Sequence, residues 1–281
     1  MGDGLASLAD WPGEHRGAGW VARDGRRALA GDVDHVLPLA SVTKVLTALA
    51  VLVAVEEEVL ALAEPAGPPG ATVRLLLCHA SGLPFQGRTP ISDPGVRRIY
   101  GNAAYETLGE LLAERTGFAY ADYVAQAVCR PLGMDATTVT GSPAAGGSGT
   151  VRDLLQLGAE LLEPTRILAP ETVAEATRPQ LPELDGVLPG FGRQRPNPWG
   201  LGVEIKGPKS PHWTPGDASP ATFGHFGQSG SFIWVDPEAG VACASLSDQG
   251  FGSWARAGWP VLGDAVLAAA RRGHPTHPGP D

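Results

Sequence analysis

Lysine is almost missing from this chain. Only Lys44, Lys206 and Lys209 are lysines among 281 residues, and arginine supplies the rest of the 21 basic side chains. Against 30 acidic residues they leave a formal net charge of −9, and no basic cluster is longer than an arginine pair. The electrostatic footprint of a nucleic-acid binder is therefore absent. Cysteine is also scarce: Cys78, Cys129 and Cys243 are far apart and odd in number, which suggests neither a disulfide framework nor a close-spaced zinc site and leaves buried or idle thiols. Charged residues reach only 18% beside 43% hydrophobic ones, which excludes a disordered chain. No long hydrophobic run occurs. Val45–Val55, broken only by Thr47, is well short of the roughly 18 residues that cross a bilayer, so it reads as a buried helix and no membrane partner is expected. Met1-Gly2-Asp3-Gly4 has neither a basic nor an apolar leader, so a cytoplasmic location is expected.

What is abundant is loop chemistry. The 38 glycines and 26 prolines are about twice average usage, and loops are where sites are usually built. Gly19–Ala30, centred on Asp24-Gly25, predicts a strand, tight turn and strand. From Val42 to Glu56 the apolar residues predict one long helix, buried on nearly every face. Shorter helices are predicted at Val73–Leu77, Ala103–Arg115 with Asn102 as N-cap and Gly117 beyond its end, Tyr120–Val128, and Val151–Leu162 with Asp153, Glu160 and Glu163 outward. Leu181–Pro198 and Gly207–Thr222 read as long loops around a strand at Trp199–Ile205. Ser231–Val235 and Val241–Leu246 read as antiparallel strands, followed by a helix at Trp259–Arg271 and a disordered tail, 273–281.

Strands thus lie at both ends and helices in the middle. The layout predicts a mixed α/β (α+β) fold: an antiparallel β-sheet of five or more strands flanked by helices, made from 1–57 and 190–272, with 58–189 as an inserted helical subdomain.

The chemistry begins at Ser41-Val42-Thr43-Lys44. Residues i and i+3 share a helix face, so the amine reaches the hydroxyl. A serine is a poor nucleophile until a base takes its proton, and lysine serves only when neutral. With a reference pKa of about 10.4 it is neutral about once in a thousand at pH 7.5, a deficit of roughly 4 kcal/mol unless the site lowers the pKa. Apolar neighbours and the positive end of the helix dipole both do so. Arginine could not substitute, because it does not deprotonate. The competing reading is a capping Ser41 beside a solvated Lys44. It places a lysine at the wrong end of the dipole, on a helix too apolar to solvate it.

Three motifs in order, Ser41-x-x-Lys44, Tyr100-Gly101-Asn102 and His225-Phe226-Gly227, resemble those of the serine β-lactamase and penicillin-binding-protein superfamily. The middle one resembles the Y-x-N version of the branch that holds class C β-lactamases, D-aminopeptidases and carboxylesterases. Leu76-Leu77-Cys78-His79-Ala80-Ser81-Gly82-Leu83-Pro84, Pro131-Leu132-Gly133-Met134 and Gln228-Ser229-Gly230 are similar to further segments of that branch. The resemblance implies a β-lactamase/transpeptidase-like fold and acyl transfer through an acyl-serine. It makes Ser41 the nucleophile and Lys44 and Tyr100 the proton carriers, with the base undecided between them. Asn102 would hold Lys44 and bond a substrate carbonyl, the Ser41 and Gln228 N–H groups would form the oxyanion hole, and Gly227 would leave room for the acyl group. Most relatives in that superfamily with β-lactam chemistry carry lysine at the position of His225, and a neutral imidazole offers a substrate carboxylate no constant charge.

Other candidates are weaker. His79 reads as structural, and Ser81, Ser229 and Ser231 lack a lysine partner. Trp213 is placed either on the wall of a substrate channel or in surface packing, and His274 and His277 have no acidic or thiol companions for a metal. The expectation is a serine hydrolase acting on a small-molecule ester, amide or peptide, with no metal, cofactor, nucleic-acid or membrane partner. An acyltransferase, transpeptidase, cyclase or thioesterase using the same acyl-enzyme, and a penicillin-binding or sensing module that acylates without turnover, remain as alternatives.

Overall fold

The computed structural model describes residues 2–272, so the tail expected at 273–281, with His274 and His277, lies outside the described residues. A six-stranded, fully antiparallel sheet forms the frame: β1 (Arg16–Ala22), β2 (Arg27–Gly31), β3 (Glu204–Ile205), β4 (Phe223–Gly227), β5 (Ser231–Asp236) and β6 (Val241–Ser247), in the spatial order β2-β1-β6-β5-β4-β3. Both chain ends thus contribute neighbouring strands, as the layout predicted. The β1–β2 turn has Gly25 at φ +83°, a conformation that favours glycine.

Alternate residues of the central strands face two different cores, which is why they are apolar throughout rather than every second position. Trp20, Trp234 and Cys243, neighbours across β1, β5 and β6, pack under the terminal helix α4 (Ser253–Arg272) with Trp259, Leu262 and Val266. Ile233, Val235, Ala242 and Ala244 face the opposite way, into the core that holds α1 (Thr43–Glu56) and α3 (Val151–Leu162), with α2 (Ala103–Thr116) packed on α1. All three cysteines are buried and free. Among the described residues no helix is long and apolar enough to cross a membrane.

Four local expectations change. α3 packs against β1, β5 and β6, so the 58–189 segment includes a helix that belongs to the sheet layer. Asp153 and Glu160 on α3 point inward rather than outward, because polar backbone folds over that face. The Asp153 carboxylate accepts from Thr137 Oγ1 at 2.7 Å and the Ala136 N–H at 3.0 Å, and Glu160 accepts from the N–H groups of Thr165, Arg166 and Ile167. The strand expected at Trp199–Ile205 shortens to β3, since the Leu201 and Gly202 N–H groups donate to Ala176 and Leu77 carbonyls in the helical region. α4 starts at Ser253 rather than at the expected Trp259, and carries Pro260 inside it. The 181–198 loop also contains a small ribbon, Gly186–Leu188 paired with Gly192–Gln194.

Candidate active site

Ser41 lies on a 3-10 turn, Ala40–Val42, that runs directly into α1. Ala40 holds φ at +45°, a left-handed conformation unusual for a residue with a Cβ. The turn is clamped from the sheet: Ser231 Oγ on β5 donates to the Leu39 carbonyl at 2.8 Å. On β4 a Cβ at Gly227 would stand 2.5 Å from the Leu39 oxygen and from Ser231 Oγ, and 3.0 Å from the Ala40 Cβ. This corrects the role expected of Gly227: it is small because β4 presses against the turn before Ser41, and the space it leaves is filled by protein.

Ser41 does not cap α1. The N-cap position is Val42, without a side-chain bond. Lys44, one residue into the helix, is fully buried, and its Nζ lies 3.3 Å from Ser41 Oγ, 2.8 Å from Asn102 Oδ1 and 3.0 Å from the Ala144 carbonyl. Burial pushes its pKa down to about 7, against a smaller upward pull from Glu106 on the first turn of α2. Asn102 stands at the N-cap position of α2 as predicted, yet makes no capping bond, because its side-chain oxygen is taken by Lys44.

Tyr100 packs over Lys44, whose Nζ lies 5.0 Å from the ring centroid, and its hydroxyl hydrogen-bonds with Ser41. Burial raises the phenol well above its ordinary pKa, an effect that the Ser41 bond only partly offsets. His79, Trp199 and His225 surround the ring with centroids 4.8, 5.7 and 5.9 Å away. His79 has φ +57° and two buried ring nitrogens without a partner, and its carbonyl accepts from the Ile99 N–H at 2.8 Å. It wedges Tyr100 by packing, in keeping with the structural role expected of it.

His225 on β4 is buried. Its Nδ1 donates to the Phe226 carbonyl at 2.8 Å, and burial followed by the charge of Lys44 pushes its pKa down to about 3. The imidazole is therefore neutral at physiological pH. Gln228 opens the turn after β4, and its carbonyl accepts from the Phe251 N–H at 2.9 Å. Ser41, Tyr100, His225 and Gln228 line one cavity of about 210 Å3, completed mainly by Phe85, Leu188, Trp199 and Phe226. Lys44 and Asn102 sit behind Ser41, whereas Gly227 does not line the cavity and packs against the turn before Ser41.

Three features lay outside the sequence reading. Among the described residues, Glu204 on β3 is the only charged side chain on the cavity wall. Burial alone would raise its carboxyl, but His212 and Lys209 hold it well below the ordinary carboxylate range. Lys209 and Trp213 donate to Glu204, and His212 Nε2 lies 2.8 Å from it, so Trp213 is packed behind the cavity and does not wall a channel. Arg98, buried without a carboxylate, donates to the carbonyls of Cys78, Gln180, Leu181 and Asn197, tying the segment before Tyr100 to two loops. The Ala144 carbonyl is an acceptor for Lys44 beside Asn102 Oδ1. The rarity of lysine was the one signal pointing toward Lys209.

The model of the family described as Beta-lactamase matches residues 12–267. Among solved structures, a beta-lactamase from Mycobacterium bovis is 47% identical with TM-score 0.93, covering 95% of this chain and 99% of that one. Simvastatin synthase (LovD) from Aspergillus terreus shares the fold at 18% identity and TM-score 0.80, covering 95% of this chain and 97% of that one. D-alanyl-D-alanine-carboxypeptidase/endopeptidase AmpH from Escherichia coli (strain K12) is 27% identical over 148 residues, which is 40% of this chain and 38% of that protein. The chain thus matches about two fifths of the length of such curated relatives. The antiparallel sheet with its flanking helices is the β-lactamase-like fold.

Proposed function

Because this chain belongs to the Beta-lactamase family, we propose that it is a serine hydrolase that cleaves uncharged esters or amides through an acyl-serine at Ser41. The observation that carries the reading is the set of acceptors around Lys44 Nζ. A neutral amine has two N–H donors and one lone pair. Asn102 Oδ1 and the Ala144 carbonyl take the donors, and the remaining direction is toward Ser41 Oγ, 3.3 Å away. The lone pair is thereby aimed at the serine proton. With a pKa of about 7 the amine is neutral half the time at pH 7. Tyr100, its phenol held protonated, is the donor partner rather than the base.

In the forward step Ser41 Oγ bonds to the carbonyl carbon while its proton passes to Lys44. The oxyanion is met by the N–H groups of Ser41 and Gln228, one on the turn into α1 and one just after β4. As the bond to the leaving oxygen or nitrogen breaks, that atom receives a proton from Tyr100, which recovers one from Lys44. Water, or another nucleophile, repeats the sequence and frees the serine.

The substrate is taken to be uncharged because, among the described residues, no cationic side chain lines the cavity wall. Arg193 and Arg195 pair with Asp185 and neither lines the cavity, His225 is neutral, and Glu204 is anionic. Intact-mass analysis after treatment with a fluorophosphonate tests the nucleophile: one adduct is expected, on the peptide containing Ser41. Labelling or turnover that survives Ser41→Ala would overturn the reading.

A further inference from the structure

The cavity at Ser41 is below the roughly 300 Å3 at which small-molecule pockets begin, so it holds one limb of a substrate and leaves the other limb outside. A second hollow of about 600 Å3 adjoins it and shares three wall residues, Phe85, Tyr100 and Pro189. Its remaining apolar wall includes Ile91, Ile99 and Val187. Phe85, Ile91 and Val187 are 52%, 56% and 58% exposed. Single exposed apolar residues are ordinary, but three large ones facing one groove that opens on a reacting centre form a built apolar surface. The arginines at the groove are occupied: Arg193 pairs with Asp185, Arg97 donates to the Ile91 carbonyl at 2.9 Å, and Arg98 is buried on its four carbonyls. The groove therefore offers a hydrophobic wall, with the exposed Arg97 guanidinium at its edge held by a backbone carbonyl.

We infer that this outer groove binds the leaving-group limb of the substrate, and that the substrate class is an ester of a small acyl group with a larger apolar alcohol. The inference rests on the reading of Ser41 as nucleophile, and it assigns the two limbs through Tyr100. That residue forms the boundary between the inner cavity and the groove. Its protonated phenol is the donor that a departing oxygen needs, so the limb that leaves departs on the Tyr100 side, into the groove. The limb that stays on Ser41 remains in the small inner cavity. In the acylation step the serine oxygen–carbonyl carbon bond forms and the carbonyl carbon–alkoxy oxygen bond breaks. The serine proton, relayed by Lys44 and Tyr100, ends on the alkoxy oxygen, and the alcohol leaves neutral.

A pair of isomers separates the two limbs. Hexyl acetate and ethyl hexanoate have the same atoms and nearly the same hydrophobicity, but carry the chain on opposite sides of the ester. The purified full chain is expected to hydrolyse hexyl acetate with a kcat/KM at least about tenfold above ethyl hexanoate and above ethyl acetate, with the gain mostly in KM; four additional buried methylenes are worth more than that. In the double variant Ile91→Ser, Val187→Ser, both exposed positions, the ratio of hexyl to ethyl acetate should fall toward one. Equal rates for the two isomers, a preference for ethyl hexanoate, or an unchanged ratio in the double variant overturns the groove assignment while leaving the serine mechanism standing. Fluorophosphonate labelling of Ser41 with no turnover of hexyl acetate overturns it as well. A Ser41 that neither labels nor acylates overturns the proposed function and this inference together.

Discussion

Lys44 Nζ donates to Asn102 Oδ1 at 2.8 Å, and that one bond takes the side chain of Asn102 away from the helix it precedes. An asparagine at a helix N-cap ordinarily accepts from the backbone N–H two or three residues on, and losing the cap costs about 1 kcal/mol. Here the oxygen serves the buried amine. The start of α2 is in effect traded for a fixed direction of the Lys44 lone pair.

The first expectation is a pH limb set by Lys44. The base works only when neutral, and burial lowers its pKa to about 7, so kcat/KM should rise with pH through about 7 and level off above it. Lys44→Arg cannot deprotonate and should lose at least about a hundredfold while folding normally by circular dichroism. A well-folded Lys44→Arg protein that keeps more than half the activity would return Lys44 to a structural role.

Asn102→Asp tests the Lys44 contact with the sign fixed in advance. A carboxylate against the ammonium favours the charged form, so the amine pKa should rise and the ascending limb should move upward by about one unit or more. Asn102 makes no capping bond to lose, and an aspartate of nearly the same shape keeps an acceptor on Lys44, so the melting temperature should hold. A pH limb left where it was would mean that Lys44 is not the titrating group.

How much of this could be read from the chain follows a physical line. Ser41 and Lys44 were legible because three residues along a helix is a fixed distance, whatever the rest of the fold does. The sheet was legible because strands at both chain ends bordered helices. Tyr100, Asn102 and His225 were reached by motif resemblance, since nothing local brings positions 100 and 225 to 41. Glu204 with Lys209, His212 and Trp213 was not legible, because loops decide that meeting. Nor were the inward Asp153 and Glu160, whose partners, backbone N–H groups and the Thr137 hydroxyl, no sequence pattern marks.

Gly227→Ala should damage the turn carrying Ser41 rather than the acyl site. The added methyl would meet the Leu39 oxygen and Ser231 Oγ at 2.5 Å, so β4 and the turn must part. Overpacking of this kind typically costs about 1 to 3 kcal/mol. The expected result is a lower melting temperature and a fall in kcat shared by substrates of every acyl size. A loss confined to larger acyl groups, at unchanged stability, would instead restore the idea that Gly227 makes room for substrate.

The last prediction concerns charge selection by the cavity. His225 keeps its Nδ1 proton on the Phe226 carbonyl and has a pKa near 3, so from pH 6 to 8 it carries no charge. Glu204, on the same wall, is anionic and repels a carboxylate, although Lys209 behind it offsets part of that field. A β-lactam brings a carboxylate into this space, and p-nitrophenyl butyrate does not. The unmodified protein should therefore hydrolyse p-nitrophenyl butyrate with a higher kcat/KM than nitrocefin at pH 7.5. His225→Lys places an amine facing Glu204, whose negative charge favours the ammonium form, and the ratio should shift toward nitrocefin by about tenfold or more, the scale of one charge-assisted hydrogen bond. Nitrocefin turned over faster than the ester by the unmodified protein would show that a carboxylate finds a partner in this cavity after all, and would make β-lactam hydrolysis the better reading of the site.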